Sequence, residues 1–387
     1  MTIVFLTNFI NHHQVPLGDE FCKLPGIQYY FIAMEELPLE FEKRGYPNYS
    51  DRSYLIKAYE NRMALKWAEK LILSADVVII GSADDTFIKE RLKRNMLTFR
   101  YNERWFKQEK HLISPKGLMI LYRDHFCYRK KKLYMLAASA YTANDVYAWG
   151  YRNKCFKWGY FPVVPLLNIE NVLEQKKKSD IVYLVWCARF IDWKHPEVPV
   201  MLAAELKKKG YSFHLDMIGN GKLYENVQSM IEKLGLSNDI TLLGNCANEK
   251  VRQIMLDAHI FLFTSDRNEG WGAVLNEAMS SGCAVIASNM IGAAPFLIKN
   301  GVNGYLYEDG NLCSLFEKIR DIIENPQKRE CFAREAYYTM LDTWSPQKAA
   351  CNFILLSQSL LNEGQIDIVS QGPCSIATPI NPIEVLR

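Results

Sequence analysis

The sequence alternates short apolar runs with longer amphipathic segments along most of its 387 residues. In the first half, residues 2–6, 27–32, 76–80 and 96–99 are typical of buried strands, and residues 54–73 have a helical apolar spacing. Strands that alternate with helices build parallel sheets covered by helices. The pattern therefore predicts an α/β protein.

The alternation restarts after residues 159–171, which contain prolines and no periodic pattern. A nearly all-apolar run at 181–188 opens the second half, and the strands and helices after it predict a doubly wound sheet. Ligands of such sheets bind beyond the carboxyl ends of the strands. Further strands are predicted at 213–218, 239–243, 259–263 and 283–287, and helices at 131–138, 142–149, 196–209, 222–234, 248–257, 272–281, 311–324, 327–342 and 346–361.

These segments predict two domains. The first spans residues 1–160, a linker spans 161–171, and the second domain spans 172–345. A C-terminal helix is expected over 346–363, followed by a loosely ordered tail over 364–387 that contains three prolines. Lys176–Lys178 are expected to form a solvated run of charge.

Charge is distributed unevenly along the chain. Residues 1–160 contain 25 Lys and Arg against 17 Asp and Glu, a net of +8, whereas the whole chain has a net charge of +3. A basic first half is suited to an anionic membrane surface or an anionic acceptor, although solvated helix faces explain it equally well. No nucleic-acid-binding motif accompanies the charge, so we expect no nucleic-acid partner.

The sequence also predicts a compartment. No apolar run reaches the roughly 18 residues that a membrane span needs. The apolar N-terminus lacks the basic region and cleavage site of a signal peptide. The 10 cysteines are scattered and form no CxxC pair, which favours free thiols in a reducing cytoplasm.

Two glutamates mark the segment richest in functional signals. Glu269 and Glu277 are separated by seven residues, and Gly270 and Gly272 are predicted to open the helix between them. A helix N-terminus attracts anions, and eight helical steps would place the carboxylates roughly 12 Å apart. A ligand with a central anion and hydroxyl groups at both ends, such as a sugar nucleotide, would suit this arrangement.

Other polar residues come after predicted strands. Arg189 and Lys194 come directly after strand 181–188 and could neutralise a departing diphosphate, or could be ordinary surface cations. Gly219 and Gly221 form a Gly-x-Gly turn, but Tyr224 replaces the third glycine of a dinucleotide fingerprint, which argues against NAD binding. The turn that contains Asn245 could contact a nucleobase or simply connect a strand to a helix.

In this order, these elements resemble the donor domain of the retaining GT-B glycosyltransferases of family 4, over about residues 181–345. The resemblance implies that Arg189 and Lys194 bind the diphosphate, that Glu269 contacts the transferred sugar, and that these three residues carry catalysis. Glu277 would hold the ribose, and the backbone amides around Gly272–Val274 would meet the phosphate or the sugar. The residues expected to bind the donor are Glu277, Gly270, Gly272, Ala273, Val274, Gly219 and Asn245.

The glycine-rich turn at Ile291–Pro295 departs from the family pattern. Ala293 and Ala294 stand where the family usually has a glycine pair, and Phe296 stands where it often has a glutamate. This departure bears on the identity of the donor.

The first half looks like the acceptor domain of bacterial polysaccharide and capsule glycosyltransferases, in NHHQVP (11–16), RYNERWFK (100–107) and WGYFP (158–162). Two adjacent histidines are too few for a metal site, so they would hydrogen-bond a sugar or cap a helix. Glu103 and Arg104 would contact substrate or pair with neighbouring charges. The acceptor or cleft residues expected are Asn8, His12, His13, Glu103 and Arg104.

The resemblance implies a GT-B fold: two Rossmann-like, doubly wound domains face each other across a cleft, and the C-terminal helix crosses back to the first domain. It implies a retaining transferase that moves a sugar from a UDP- or GDP-linked donor to a saccharide or lipid-linked acceptor in bacterial surface polysaccharide synthesis. No bound cofactor and no metal is expected. A sugar-nucleotide epimerase, a phosphorylase and a non-catalytic nucleotide-sugar-binding protein remain alternatives.

Overall fold

The computed structural model describes residues 1–39, 47–107, 114–362 and 369–387. The chain divides into two compact units. Unit 1 comprises Met1–Val163 and Thr343–Ile380, and unit 2 comprises Val164–Asp342 and Asn381–Arg387. Each unit contains its own sheet of parallel strands, which confirms the predicted α/β class.

Unit 1 has seven strands within its described residues, in the order β3-β2-β1-β4-β5-β6-β7. The order reverses between β1 and β4, so that the loops after these two strands emerge side by side. The strands are β1 (Thr2–Thr7), β2 (Gln28–Ala33), β3 (Leu55–Lys57), β4 (Val77–Ile80), β5 (Thr98–Asn102), β6 (Leu133–Ala137) and β7 (Cys155–Lys157).

Local capping sets the helix starts in unit 1. The helix predicted over 54–73 begins later, because the Asn61 side chain accepts hydrogen bonds from the amides of Met63 and Ala64. Residues 55–57 add a strand instead. The helices are α1 (Val15–Lys23), α2 (Arg62–Ser74), α3 (Thr86–Lys93), α4 (Pro115–Asp124) and α5 (Thr142–Val146).

The prediction of a helix over residues 131–138 is wrong. These residues form β6, which pairs with β5 and β7. Leu133, Met135 and Leu136 are all buried. A strand buried on both faces reads as a continuous apolar run, which periodicity alone does not distinguish from a short buried helix.

Unit 2 repeats the same pattern. Its described strands lie in the order β10-β9-β8-β11-β12-β13, with the reversal between β8 and β11. Its five predicted strands are confirmed, and β13 was not predicted. The strands are β8 (Val182–Cys187), β9 (Phe213–Ile218), β10 (Ile240–Gly244), β11 (Ile260–Phe263), β12 (Ala284–Ser288) and β13 (Tyr305–Tyr307).

The helices of unit 2 cover this sheet, and their apolar faces pack against strand residues such as Leu184, Leu262 and Ile286. The predicted linker contains the start of α6, which Asn168 caps by accepting a hydrogen bond from the Asn171 amide. The helices are α6 (Ile169–Lys177), α7 (Glu197–Lys208), α8 (Tyr224–Lys233), α9 (Asn248–Asp257), α10 (Val274–Ser280), α11 (Ala294–Leu297), α12 (Leu312–Glu324) and α13 (Pro326–Tyr338).

The C-terminal helix α14 (Pro346–Leu361) belongs to unit 1 although it comes after unit 2 in the chain. The Phe353 ring lies 4.9 Å from that of Phe99 and 5.6 Å from that of Trp158, centroid to centroid. The predicted return of this helix to the first domain is confirmed.

The expectation of a loosely ordered tail is wrong for its described part, 369–387. Cys374 and Ala377 are fully buried, and Ile376 forms a β-bridge with Phe156 in unit 1. Residues 363–368, which include the predicted end of the C-terminal helix, lie outside the described residues. The tail sequence lacks periodicity because it packs as an irregular segment.

No helix within the described ranges is long and apolar enough to cross a bilayer. All ten cysteines are free thiols.

Candidate functional site

A largely buried ion pair lies at the carboxyl ends of β8 and β11, where the strand order of unit 2 reverses. Lys194 comes after β8, and its ammonium group pairs with the carboxylate of Glu269, which comes after β11. Only 12% and 13% of the two side chains are exposed. Residues that the sequence separates by 75 positions therefore form one charged group at the edge where doubly wound sheets bind ligands.

Hydrogen bonds between the two loops position Lys194. The Thr264 hydroxyl donates to the Lys194 carbonyl at 2.7 Å and accepts from Trp186 Nε1 at 2.8 Å. The side chains of Thr264 and Trp186 are both buried. A further hydrogen bond joins the two loops, because the Asp266 amide donates to the Trp193 carbonyl at 3.0 Å. Sequence analysis missed Thr264 and Trp186 because neither carries a charge or belongs to a motif.

Arg189 is exposed, and its guanidinium lies 5.5 Å from the centroid of the Trp193 ring. Its loop passes closely over the Gly-x-Gly turn. A Cβ atom at Gly219 would lie 2.0 Å from the Ala188 carbonyl oxygen, and one at Gly221 would lie 2.4 Å from that of Phe190. Both glycines have positive φ, of 125° and 159°, so the turn provides the room that the Arg189 loop needs.

The loop that carries Glu269 is fixed on both sides. The Glu269 amide donates to the Asp266 carbonyl at 3.0 Å, and the Ala293 amide donates to the Trp271 carbonyl at 3.0 Å. The glycine-rich turn therefore lies against the glutamate loop. Phe296, the departure from the family pattern, places its ring 6.4 Å from that of Trp271.

The helix between the two glutamates is shorter than predicted. It begins at Val274 with Ala273 at its N-cap, and no side chain caps it. Gly270 and Gly272 precede this helix rather than open it, so the roughly 12 Å separation expected for an all-helical stretch does not apply. A seven-residue helix has a small dipole, and the side chains of Arg189 and Lys194 carry most of the local positive charge.

Glu277 lies on this helix and is partly exposed. Burial raises the pKa of its carboxyl above the ordinary value, and the charge of Arg252 opposes that rise. Burial raises the pKa of the Cys187 thiol at the end of β8, and the neighbouring charge of Glu277 raises it further. Glu277 therefore lies near the end of β8, on the same edge of the sheet as Lys194.

Lys176 is buried at the other end of α10, which corrects the expectation of a solvated run for this residue, whereas Lys177 and Lys178 are exposed as predicted. Its Nζ donates to the carbonyl oxygen of Gly282 at 2.5 Å and to that of Ser281 at 3.4 Å. These carbonyls lie just beyond the last turn of the helix that carries Glu277, where a cation is favourable.

The His259 ring is fixed beside Lys176. Its Nδ1 accepts from the Tyr183 amide at 3.1 Å, so in the neutral ring Nε2 carries the hydrogen and donates to the Lys176 carbonyl at 2.8 Å. Burial lowers the pKa of His259 to about 4. This histidine is therefore neutral near pH 7.

The residue after Lys194 is a charged histidine. The His195 ring lies 3.0 Å from the Glu197 carboxylate and 3.4 Å from that of Asp266. The hydrogen bond to Glu197, followed by the charges of Glu197 and Asp266, raises the pKa of His195 to about 9. These residues line a cavity of about 330 Å³ together with Asp309.

Asn245 is exposed in the turn after β10. Within that turn, the Gly244 carbonyl accepts a hydrogen bond from the Gly219 amide at 2.8 Å. The turn containing Asn245 is thus joined to the Gly-x-Gly turn, while a contact of Asn245 or Gly219 with a donor stays a prediction.

Unit 1 has a cavity of about 470 Å³ at its own reversal point. It brings together three of the five residues predicted for the acceptor, namely Asn8, His13 and Glu103. The cavity is lined by Thr7, Asn8, Phe9, Asn11, His13, Gln14, Gly81, Ser82, Tyr101, Asn102, Glu103 and Tyr160.

Aromatic rings and one carboxylate define this cavity. The His13 ring stacks on Tyr160 with centroids 5.0 Å apart, and the Tyr160 hydroxyl donates to Glu103 at 2.8 Å. Lys107 pairs with the other oxygen of that carboxylate. Burial, and then the charge of His12, lowers the pKa of His13 to about 3.

The other two predicted residues do not line this cavity. The Arg104 guanidinium lies 3.5 Å from the Asp145 carboxylate and 5.2 Å from the centroid of the Tyr141 ring. Of the two roles expected for Arg104, the structure therefore shows the pairing with a neighbouring charge. The His12 ring does not line the cavity but packs against the His13 ring, with the two ring centroids 3.8 Å apart.

Part of unit 2 is similar in sequence to a known protein family. Residues 168–339 match the family model described as "Glycosyl transferases group 1". Those residues carry Arg189, Lys194, Glu269 and Glu277. Residues 168–339 are therefore similar to a glycosyltransferase group 1 domain. The match covers less than half of the chain and lies within unit 2.

Curated relatives match a similar part of the chain. An uncharacterised glycosyltransferase of Methanocaldococcus jannaschii is 36% identical over 122 residues, which are 32% of this chain and 34% of that protein. The poly(glycerol-phosphate) α-glucosyltransferase of Bacillus subtilis is 29% identical over 167 residues, which are 43% of this chain and 24% of that protein. The chain thus spans about a third or less of the length of these relatives.

The fold extends over both units. The crystal structure of Anabaena HepE in complex with UDP aligns with a TM-score of 0.65 at 16% identity, covering 94% of this chain and 99% of that one. The region that matches the group 1 family model therefore lies in the second of two Rossmann-like units, and the predicted GT-B fold class is confirmed.

Proposed function

We propose that this chain is a retaining glycosyltransferase that moves a sugar from a nucleotide sugar to a saccharide or lipid-linked saccharide. The observation that carries the proposal is the Lys194–Glu269 ion pair beside the exposed Arg189, at the reversal point of a glycosyltransferase group 1 domain. Two cations and a carboxylate there match the diphosphate and the hydroxyl groups of one ligand. The UDP complex of Anabaena HepE, which shares the fold, supports a nucleotide donor.

The residues of unit 2 take distinct roles in this proposal. Arg189 and Lys194 bind the diphosphate, Glu269 accepts hydrogen bonds from sugar hydroxyls, and Glu277 binds the ribose. Glu277 is partly exposed at the same strand edge, where its carboxylate can accept from two neighbouring hydroxyl groups. The remaining donor contacts are backbone and side-chain groups of Gly270, Gly272, Ala273, Val274, Gly219 and Asn245.

Transfer forms one bond at the anomeric carbon and breaks another. The acceptor hydroxyl oxygen bonds to that carbon while the bond to the diphosphate oxygen breaks on the same face of the sugar. The leaving phosphate oxygen takes the acceptor's proton, so the products are a glycoside of unchanged configuration and a nucleoside diphosphate. Arg189 and Lys194 stabilise the charge that develops on the diphosphate without a metal ion.

Glu269 fits an orienting role better than that of a general base. Its carboxylate already accepts a hydrogen bond from the Lys194 ammonium group, which holds its oxygens in place to accept further hydrogen bonds from sugar hydroxyl groups.

The acceptor is assigned to the cavity of unit 1. Stacked rings and the Glu103 carboxylate suit the apolar faces and hydroxyl groups of a saccharide. Asn8 and His13 line this cavity, with His12 behind it and Arg104 beside it. The pathway proposed is bacterial surface polysaccharide synthesis in the cytoplasm, at the inner face of an anionic membrane that the basic unit 1 contacts. Ten free thiols are consistent with a reducing compartment.

The test is a transfer assay with a panel of UDP- and GDP-sugars and saccharide or lipid-linked acceptors. We expect a nucleoside diphosphate and a glycoside whose anomeric configuration, read by NMR, equals that of the donor. Activity should survive EDTA, and Lys194→Met should lower kcat by about 100-fold. Inversion, or full loss with EDTA that Mg²⁺ restores, would contradict the proposed mechanism.

Incubation with the donor alone separates the alternatives. Interconversion of donor isomers without an acceptor would indicate an epimerase, and pyridoxal phosphate absorbance would indicate a phosphorylase. Tight nucleotide binding with no turnover of any donor would indicate a binding protein. Glu277→Gln should weaken UDP or GDP binding, and unchanged binding would remove the ribose assignment.

A further inference from the structure

Helix α4 of unit 1 exposes its apolar side chains. Leu118, Met119 and Tyr122 are 46%, 60% and 56% exposed, and Ile120 is also exposed. Of the ten residues of α4, Asp124 is the buried one. A surface helix normally buries an apolar stripe and exposes a polar face, whereas α4 exposes apolar side chains together with its basic ones.

Three of the exposed apolar residues of α4 form one continuous face. At about 100° per residue, Leu118, Tyr122 and Met119 lie next to one another within an arc of about 100°. Lys116 and Arg123 border this arc on the side of Met119 by the same helical geometry. Contiguous apolar side chains with a basic border are typical of an interaction surface rather than of scattered exposure.

The apolar face continues directly into a basic run. The Tyr122 ring stacks on that of Phe126 with centroids 5.5 Å apart, and the Arg129 guanidinium lies 3.7 Å from the Phe126 centroid. Arg129 begins the run Arg129–Lys132. We call residues 115–132 the α4 surface.

A half-buried lysine holds the basic run in place. Lys154 Nζ donates to the carbonyl oxygens of Arg129 and Lys131, at 2.9 and 2.5 Å. The α4 surface contains six Lys and Arg against one carboxylate, Asp124. Asp124 is paired with Arg123 and lies 3.9 Å from Lys89, so the outer face is strongly positive.

We propose that the α4 surface docks on an anionic phospholipid bilayer. Apolar and aromatic side chains enter the boundary between headgroups and acyl chains, while the surrounding lysines and arginines contact lipid phosphates. Charge argues against a second copy as the occupant, since a symmetric contact would place two strongly positive faces together. The inference extends the proposed membrane contact, and vesicle binding tests it without donor, acceptor or turnover.

The experiment measures binding of the full chain to extruded vesicles of phosphatidylcholine with or without phosphatidylglycerol, by co-sedimentation. Leu118→Ser/Met119→Ser/Tyr122→Ser removes the apolar face, and Lys130→Gln/Lys131→Gln/Lys132→Gln removes three charges. The control Met63→Ser/Leu355→Ser removes exposed apolar side chains from α2 and α14 of the same unit.

We expect binding to the anionic vesicles that falls with salt, and binding about 100-fold weaker in the lysine variant, at about tenfold or less per charge. The serine variant should lose a comparable amount, and the control should match the wild type. Transfer to a water-soluble acceptor should be unchanged in all variants, because none touches the proposed site. Thermal unfolding checks that each variant is folded.

Three results would overturn the proposal. Anionic vesicles could fail to bind the wild type, or the serine and lysine variants could bind like the control. In the third, the wild type could be a dimer that the serine variant converts to a monomer, which would assign the surface to a second copy. If the wild type transfers sugar but does not bind anionic vesicles, only the docking surface is refuted. If the wild type binds vesicles but transfers no sugar, the proposed transferase activity is refuted instead.

Discussion

The two sheets share a strand order but differ in the loops at the carboxyl ends of their strands. In each unit the first strand lies beside the fourth, and the order reverses between them. In unit 2 this point carries the Lys194–Glu269 ion pair. In unit 1 it carries the stacked rings of His13 and Tyr160 beside Glu103.

The histidines show the same difference. His195 in unit 2 is held charged by Glu197 and Asp266, whereas His13 in unit 1 is held neutral by burial. Under the proposed function, one sheet topology would support a site for an anionic donor in unit 2 and a site for a neutral polyol in unit 1. The loops, rather than the strands, determine which ligand each unit can bind.

Removing one carboxylate from each unit gives the largest expected contrast. Glu269→Gln should lower kcat by about 100-fold or more, because the group proposed to orient the sugar loses its charge. Glu103→Gln should instead raise the KM for the acceptor by about tenfold, with a smaller effect on the donor. Steady-state kinetics with both substrates measure the contrast. A Glu269→Gln enzyme with a kcat close to that of the wild type would contradict the roles assigned here.

A glycine substitution tests whether the Gly-x-Gly turn serves the Arg189 loop. Gly219→Ala places a Cβ atom 2.0 Å from the Ala188 carbonyl, so we expect a large loss of stability and weaker nucleotide binding. Gly210→Ala is the matched control, because Gly210 also has a positive φ, of 80°, with no atom within 4 Å of the added Cβ. The control should cost about 1–2 kcal/mol. If urea unfolding shows that Gly219→Ala and Gly210→Ala lower the free energy of unfolding equally, the close approach of Gly219 to the Ala188 carbonyl is unimportant.

The buried Lys176 tests how the helix of Glu277 is anchored. Lys176→Met removes the donor from the carbonyls of Ser281 and Gly282, and we expect the free energy of unfolding to fall by about 1–3 kcal/mol. Lys178→Met, two residues away and exposed, should be neutral within about 0.5 kcal/mol. A Lys176→Met protein as stable as the wild type would mean that the desolvation cost of the ammonium offsets its hydrogen bonds.

The last contrast is an opposite pH dependence of stability in the two units. The folded pKa of His195, about 9, lies above its ordinary value of 6.5. Its contribution to stability is therefore complete below pH 6.5 and lost as pH rises through 9. The folded pKa of His13, about 3, lies below 6.5, so stability falls as pH drops from 6.5 toward 3.

Unfolding free energies measured from acidic to alkaline pH test these signs. His195→Gln should flatten the alkaline slope, and His13→Gln the acidic slope. The effect of His195 should stay near or below about 1 kcal/mol because its side chain is about one-third exposed and solvent screens its partners. A steeper acidic slope in His13→Gln would reverse the assignment of a neutral ring.

Sequence patterns predicted the elements of unit 2 better than those of unit 1. The strands at 213–218 and 259–263 are separated by strong helical segments, and their bounds agree with the structure to within one residue. In unit 1, β3 and β7 have three residues each, too few to show a period. The β6 segment was mistaken for a helix because both of its faces are buried.

Some residues of the candidate site could be predicted from the sequence and others could not. Charged residues after strands, such as Arg189, Lys194 and Glu269, could be predicted because charge at a strand's carboxyl end is itself a signal. The groups that hold them could not. Thr264 and Trp186 position Lys194, and Lys176 anchors the helix of Glu277, through hydrogen bonds in tertiary contacts, which leave no local pattern in the sequence.

The two hydrogen bonds of His259 have a spectroscopic consequence. With Nδ1 accepting from Tyr183 and Nε2 donating to Lys176, this ring populates a single neutral tautomer, and its pKa is about 4. Its ring ¹⁵N resonances should therefore stay constant from neutral to alkaline pH, while those of His195 move near pH 9. In a ¹⁵N-labelled protein, His259 would serve as an internal reference for the fold of unit 2 while ligands are titrated into it.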